Sequence, residues 1–338
     1  MNKKLLFGIT EKGVIHTDID PPILLDDKFK MVKESGVYDY FDKTPPVNQV
    51  SEYLRCSEKY DLPILAGGWF YLLGRDEELL FENIRIGSQL GSLVHNTQIM
   101  MDHANGSLVS DKEVSEIYLK AFEIGEKLGC RPTFEVHVNM WSEDFRRIEK
   151  VADLVERNGV PFRMTLDHSH VIFKINNPRE QEVFNIKESI ESGDLVLDPY
   201  KKNHVSGKWI QRGFVGHCHA RAAVPNNPRN IWQHHPSLEE LPSSLHPQDT
   251  IGRGIQYPFI KPSPGQWHSD WDESRLDPWK EILRQLMHYH STNSESILKT
   301  ISTEFIPHPD YGGGAKYSIF ENSVACAKWL RKTWNEIS

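Results

Sequence analysis

Eight short runs of β-branched and apolar residues, separated by helical patterns, constrain this 338-residue chain more than any other feature. They are LLFGIT (5–10), VYDYFD (37–42), PILAGGWFY (63–71), SLVHNTQIM (92–100), TFEVHVN (133–139), FRMTLDH (162–168), GFVGHCH (213–219) and ISTEFI (301–306). Strands that alternate with helices need crossover connections, which makes them parallel. Eight such units at this length predict an α/β fold, a (β/α)8 TIM barrel forming a single domain over 1–338. An open doubly wound sheet would fit less well, and no GxGxxG follows the first run to support a dinucleotide site.

The clearest helix is SDKEVSEIYLKAFEIGEKLG, 110–129. Ser110 and Glu113 have the capping-box spacing, which satisfies free N–H groups at a helix start. Val114, Ile117, Tyr118, Ala121, Ile124 and Leu128 share one face, and Gly129 supplies the stop. Further helices are expected at 46–60, 76–90, 143–158, 277–291 and 318–335. Two stretches interrupt the rhythm as long inserted loops, 174–212 after the sixth strand and 222–275 after the seventh. The second is rich in proline and aromatics, with Trp232, His234, His235, Trp267, His268 and Trp271. It reads as a lid over a sugar or aryl group, or as a subunit contact in a homo-oligomer or with a second subunit. The triple glycine in DYGGGAKYS (310–318), followed by Lys316, has the look of a phosphate-binding loop, although a plain turn before the last helix is the simpler reading.

Composition excludes some functions. The formal charge is −8, from 39 Lys and Arg against 47 Asp and Glu, which leaves no electrostatic footprint for nucleic acid or an anionic membrane. The apolar run after the first lysines lasts only from Leu5 to Ile9, too short for a signal peptide. No window reaches the length of a membrane span. The four cysteines are scattered with no CxxC, as in a reducing compartment, so a cytoplasmic location is expected.

Side chains alternate between the two faces of a strand. Glu135, His137 and Asn139 therefore share a face opposite Phe134, Val136 and Val138. Thr165 and Asp167 share one, with His168 and His170 just beyond, and so do Val215, His217 and His219, and Ser302, Glu304 and Ile306. Four successive strands thus carry an acid or imidazole near the C-terminal end, where barrel active sites lie: Glu135, Asp167, His217 and Glu304. Each has an ordinary alternative, a surface ion pair for a lone glutamate or a hydrogen-bonded core histidine for His217. Together they would bury three carboxylates, which demands a compensating cation. Three carboxylates and one imidazole suit one divalent metal ion with open positions, Mn²⁺ first, with Mg²⁺, Co²⁺ or Zn²⁺ as alternatives. Cys218, on the opposite face, is expected to be apolar filler.

This order of residues resembles the xylose-isomerase-like superfamily of sugar isomerases and epimerases, inosose dehydratases, hydroxypyruvate isomerases and endonuclease IV. The resemblance rests on Glu135 in TFEVHVN, Asp167 and His170 in LDHSH, His217 in GHCHAR and Glu304 in STEFIPH. It implies a metal-binding barrel with Glu135, Asp167, His217 and Glu304 as ligands. It further implies that Glu135 and Glu304 exchange a proton next to a substrate carbonyl, through a metal-stabilised enediolate. Arg221 follows His217 at a shorter offset than in the epimerases. His137 and His170 are additional acid–base candidates. His219, Arg221, Trp69, His235, Trp267 and His268 are the candidates for carbohydrate binding. The function expected is a metal-dependent sugar isomerase or epimerase, with a lyase or dehydratase acting on a keto-sugar, keto-inositol or keto-glycoside as the alternative. An endonuclease IV-like phosphodiesterase fits the acidic charge poorly, and a non-catalytic barrel would leave the ligand set without a purpose.

Overall fold

In the computed structural model, residues 3–17, 20–225, 253–307 and 316–338 are described. Each of the eight runs overlaps one strand: β1 (Leu6–Thr10), β2 (Tyr40–Asp42), β3 (Ile64–Tyr71), β4 (Val94–Ile99), β5 (Arg131–Glu135), β6 (Met164–Leu166), β7 (Val215–Ala220) and β8 (Thr300–Thr303). They pair in parallel in chain order, and β8 pairs with β1 to close the barrel. Closure leaves no sheet edge exposed.

The principal helices are α1 (Leu25–Ser35), α2 (Val50–Tyr60), α3 (Glu77–Leu90), α4 (Asp111–Leu128) and α5 (Ile148–Glu156). After β6 come α6 (Ser169–Lys174), α7 (Pro178–Glu182), α8 (Lys187–Glu191) and α9 (Val205–Gln211), followed by α10 (Asp277–Thr292) and α11 (Ile319–Ile337). The stretch 174–212 is therefore not one long loop. Asn177 caps α7 through its side chain, and Pro178 stands in the first turn where a missing N–H costs nothing. In α4 both halves of the capping box form, and Gly129 ends the helix at φ 79°.

Helix and strand faces meet in one large shell outside the sheet, which includes Phe134, Val136, Leu166 and Cys218. The lumen is layered. Tyr40, Ala66 and Val94 form an apolar floor with Leu6. Above it lie hydroxyls, with Thr133 Oγ1 2.7 Å from Thr165 Oγ1 and Tyr40 Oη 2.7 Å from Ser302 Oγ. Charged groups occupy the C-terminal mouth.

Several strands stop earlier than their sequence pattern, β6 among them, since it ends at Leu166 and leaves Asp167 beyond it. β5 ends at Glu135, so His137 and Asn139 lie beyond it, and Asn139 turns the chain at φ 62° while its N–H reaches Glu143 Oε2 at 2.6 Å. β8 ends at Thr303, which puts Glu304 and Ile306 past the strand. No helix among the described residues is long and apolar enough to cross a membrane.

Candidate metal centre

The ends of β5, β6, β7 and β8 bring Glu135, Asp167, His219 and Glu304 together, with one ligand-capable atom from each inside 4.8 Å of all the others. The imidazole in this group is His219. His217, the ligand expected from the sequence, faces a second cluster with Asp42 and the far side of the His219 ring. The reason is register. Thr165 pairs with His217, so Asp167, two residues on, stands at the level of His219. Residues two apart share a face, and alternation alone cannot tell which of the two histidines is the higher.

Glu135 is fully buried. Its Oε2 accepts from Asn96 Nδ2 at 2.6 Å and Gln98 Nε2 at 2.5 Å, and its Oε1 lies 3.0 Å from His219 Nδ1. Burial alone would raise this carboxyl, but the His219 charge outweighs it and holds the group below its ordinary range. The same nitrogen of His219 stands 3.1 Å from Glu304 Oε2. Burial would lower the imidazole, yet Glu304 and Glu135 raise it well above its ordinary value.

Asp167 is equally buried and points its Oδ2 at Arg221 Nη2, 2.5 Å away, and at His170 Nε2, 3.3 Å away. Ser169 binds the other oxygen through its N–H at 3.1 Å and its hydroxyl at 2.5 Å. Burial opposes ionisation here too, but Arg221 dominates and keeps the carboxyl well below its usual range. His137 lies beside this group, its ring 4.3 Å from that of His170 and its Nδ1 2.6 Å from the Val138 carbonyl. Burial, with His170 adding to it, pushes His137 down to about 3. It is a neutral imidazole at any ordinary pH.

The substrate-binding candidates divide. Arg221 is 0% exposed and its guanidinium is engaged by Asp167, Ser169 and His170. Trp69 is exposed, stacked on Phe70 with centroids 4.7 Å apart. Trp267 packs edge-on to Tyr257 and Tyr317, and its neighbour His268 is exposed. Trp232, His234, His235 and the triple glycine 312–314 lie outside the described residues. His168 turns away to stack on Trp279.

Three site residues escape the sequence reading: Asp42, Asn96 and Gln98. The signal was present, since Tyr40 and Asp42 share a parity in VYDYFD and Asn96 and Gln98 share one in SLVHNTQIM. Both runs read as ordinary strands until the lumen gives polar parity a meaning.

The donor set fits a divalent cation. Glu304 Oε2 is buried and makes no hydrogen bond among the described residues, although His219 Nδ1 is within reach. The two atoms stand at ion-pair distance without the alignment of a hydrogen bond. Hard oxygens with one imidazole are the ligands that Mn²⁺ and Mg²⁺ accept.

No protein-family model and no curated protein matches this chain. Solved structures do. A xylose isomerase-like TIM barrel protein from Mycobacterium smegmatis in complex with magnesium aligns with TM-score 0.55 and 11% identity, covering 98% of both chains. The probable 3-DHS dehydratase involved in petrobactin synthesis from Bacillus anthracis aligns at 0.54 and 13%, covering 97% of this chain and 99% of that one. The 3-keto-D-glucoside 4-epimerase from E. coli, in its apo form, aligns at 0.52 and 13%, covering 97% and 100%. The likeness is one of fold: this chain shares a closed eight-stranded TIM barrel with these proteins.

Proposed function

We propose that this protein is a divalent-metal-dependent carbohydrate enzyme that moves a proton on the carbon next to a carbonyl, as an isomerase or epimerase. The observation that carries the reading is the convergence of Glu135, Asp167, His219 and Glu304 at the barrel mouth, with Glu304 Oε2 making no hydrogen bond among the described residues. These four residues would hold the metal, His219 taking the place first expected for His217. Held there, a divalent cation would supply Lewis acidity toward a substrate carbonyl.

The two glutamates have different surroundings. Asn96 and Gln98 hold one oxygen of Glu135, which fixes the carboxylate as an anion. Glu304 has 12% of its side chain exposed and no such clamp, so it is the carboxylate best placed to take a proton from substrate. Arg221 neutralises Asp167 and sets its orientation. His137 lies against His170 with the rings tilted by 53°, and as a neutral imidazole it is suited to hydrogen-bond substrate beside the site rather than to carry a proton.

Elimination from a keto-sugar, keto-inositol or keto-glycoside is the second reading. His137 and His170 lie side by side next to the site, where elimination would need a group to serve the departing oxygen. The similarity to both an epimerase and a dehydratase is compatible with either outcome.

Metal analysis of the purified protein beside Glu135→Gln and Glu304→Gln tests the site. Close to one Mn²⁺ or Mg²⁺ per chain is expected in the parent and a large loss in each variant. Full metal content in both variants would remove the proposed centre. A screen of ketoses, keto-inositols and 3-keto-glycosides, read for isomer against eliminated product, then separates the two reactions.

A further inference from the structure

Beneath the proposed ligands lies a polar cluster that the chemistry above does not use. Asp42, at the end of β2, is buried, with its Oδ2 3.8 Å from His219 Nε2 and 3.5 Å from His217 Nε2. The same oxygen accepts the Ser302 hydroxyl at 2.5 Å, and Ser302 is in turn 2.7 Å from the Tyr40 hydroxyl. The Nε2 atoms of both histidines are buried and make no hydrogen bond among the described residues. His217 is held from its other side, its Nδ1 2.8 Å from Thr300 Oγ1 and 3.2 Å from the Thr300 carbonyl.

The His219 ring is thus bracketed. Nδ1 faces Glu135 and Glu304, and Nε2 faces Asp42. A neutral imidazole carries one N–H and one lone pair, and the hydrogen bond made by one nitrogen decides which of them the other presents. We propose that Asp42 is a positioning residue, whose carboxylate takes the Nε2–H of His219 and so turns the Nδ1 lone pair toward the metal. This rests on the metal reading given above.

The geometry supports that role over a general packing one. Asp42 reaches the site from β2, the strand opposite the ligand-bearing half of the barrel. Its carboxylate is fixed before His219 is considered, because Ser302 and Tyr40 set its orientation. The hydrogen bond requires the imidazole to close the 3.8 Å separation from Asp42. Partners of this kind to a ligating histidine typically change metal affinity 10- to 100-fold.

The test measures Mn²⁺ binding by calorimetry for the parent chain, Asp42→Ala and Asp42→Asn, with circular dichroism and Tm as folding controls. Affinity is expected to fall about 10- to 100-fold in Asp42→Ala at an unchanged stoichiometry of one. Asp42→Asn, which keeps an oxygen acceptor, is expected to recover part of the loss. The second readout needs no variant. In the ¹⁵N spectrum of the Mg²⁺-loaded parent protein, His219 is expected as the Nε2–H tautomer, a signature that loosened packing alone would not produce. Unchanged affinity in a folded Asp42→Ala, or an Nδ1–H tautomer, would overturn the assignment. So would two Mn²⁺ per chain with one lost in Asp42→Ala, because the cluster would then be an ion site itself. If the parent protein binds neither Mn²⁺ nor Mg²⁺, the underlying metal reading fails, and this inference with it. Failure of the positioning role alone leaves the parent's binding intact.

Discussion

One methylene group separates a tolerated residue from a damaging one in the barrel floor. A Cβ on Gly8 would lie 2.2 Å from the Tyr40 ring, a separation no side chain can hold. Gly8→Ala is expected to push Tyr40 off Ser302 and cost about 1–3 kcal/mol, read as a lower urea midpoint. Because Ser302 fixes Asp42, the same change should weaken metal binding without touching any proposed ligand. Much of the site could be read from single residues. Glu135, Asp167 and Glu304 follow from strand parity and the location of barrel sites at the C-terminal mouth. The choice between His217 and His219 does not, because it depends on how β6 and β7 slide past each other. Asp42 was hidden for another reason. A single acid in a short strand means little until a partner from the far wall is known.

Among the connecting elements, the strongest tie is a buried ionic cluster. Lys174, at the end of α6, lies 2.9 Å from both Glu143 and Glu180, and Arg253 lies 2.6 Å and 2.8 Å from the same two residues. The cluster joins the loop after β5, the α6–α7 pair and the returning end of the long insertion. Burial alone would raise both carboxyls, but Lys174 and Arg253 outweigh it and hold Glu143 and Glu180 below the ordinary glutamate range. The sign follows from the depressed values. Their stabilisation is complete above the unfolded glutamate pKa of about 4.3 and is lost as pH falls through the lower folded values. Lys174→Met leaves two buried carboxylates with one cation, so a loss of about 3–5 kcal/mol is expected in urea unfolding at pH 7. That difference between parent and variant should shrink below about pH 4, where the unfolded carboxyls are protonated. The helices themselves were legible, α4 down to its cap and its terminating glycine. The cluster was not, since its members are 110 positions apart in sequence between Glu143 and Arg253.

At the scale of the whole molecule, the polar lumen should make folding and metal binding report on each other. A ligand that binds only the folded chain stabilises it by about 2.7 kcal/mol at one hundred times its Kd. Mn²⁺ is therefore expected to raise Tm in the parent protein and to leave Glu304→Gln unmoved, as read by calorimetric scans. The barrel was legible because eight alternations leave few other ways to bury eight strands. The contents of 174–212 were less so, because helices of five to seven residues are too short to show a period.

The hydrogen bonds between β2 and β8 have a consequence for how the chain is made. Tyr38 meets Thr303, Tyr40 meets Ser302 and Ser302 meets Asp42, contacts that span 260 to 265 positions. A ribosome delivers Asp42 long before the hydroxyl that will accompany it. Until β8 emerges, this carboxylate must stay hydrated, and the first seven strands have no reason to enclose it. Ring closure thus waits for the eighth strand, which brings the groups that make a buried anion tolerable.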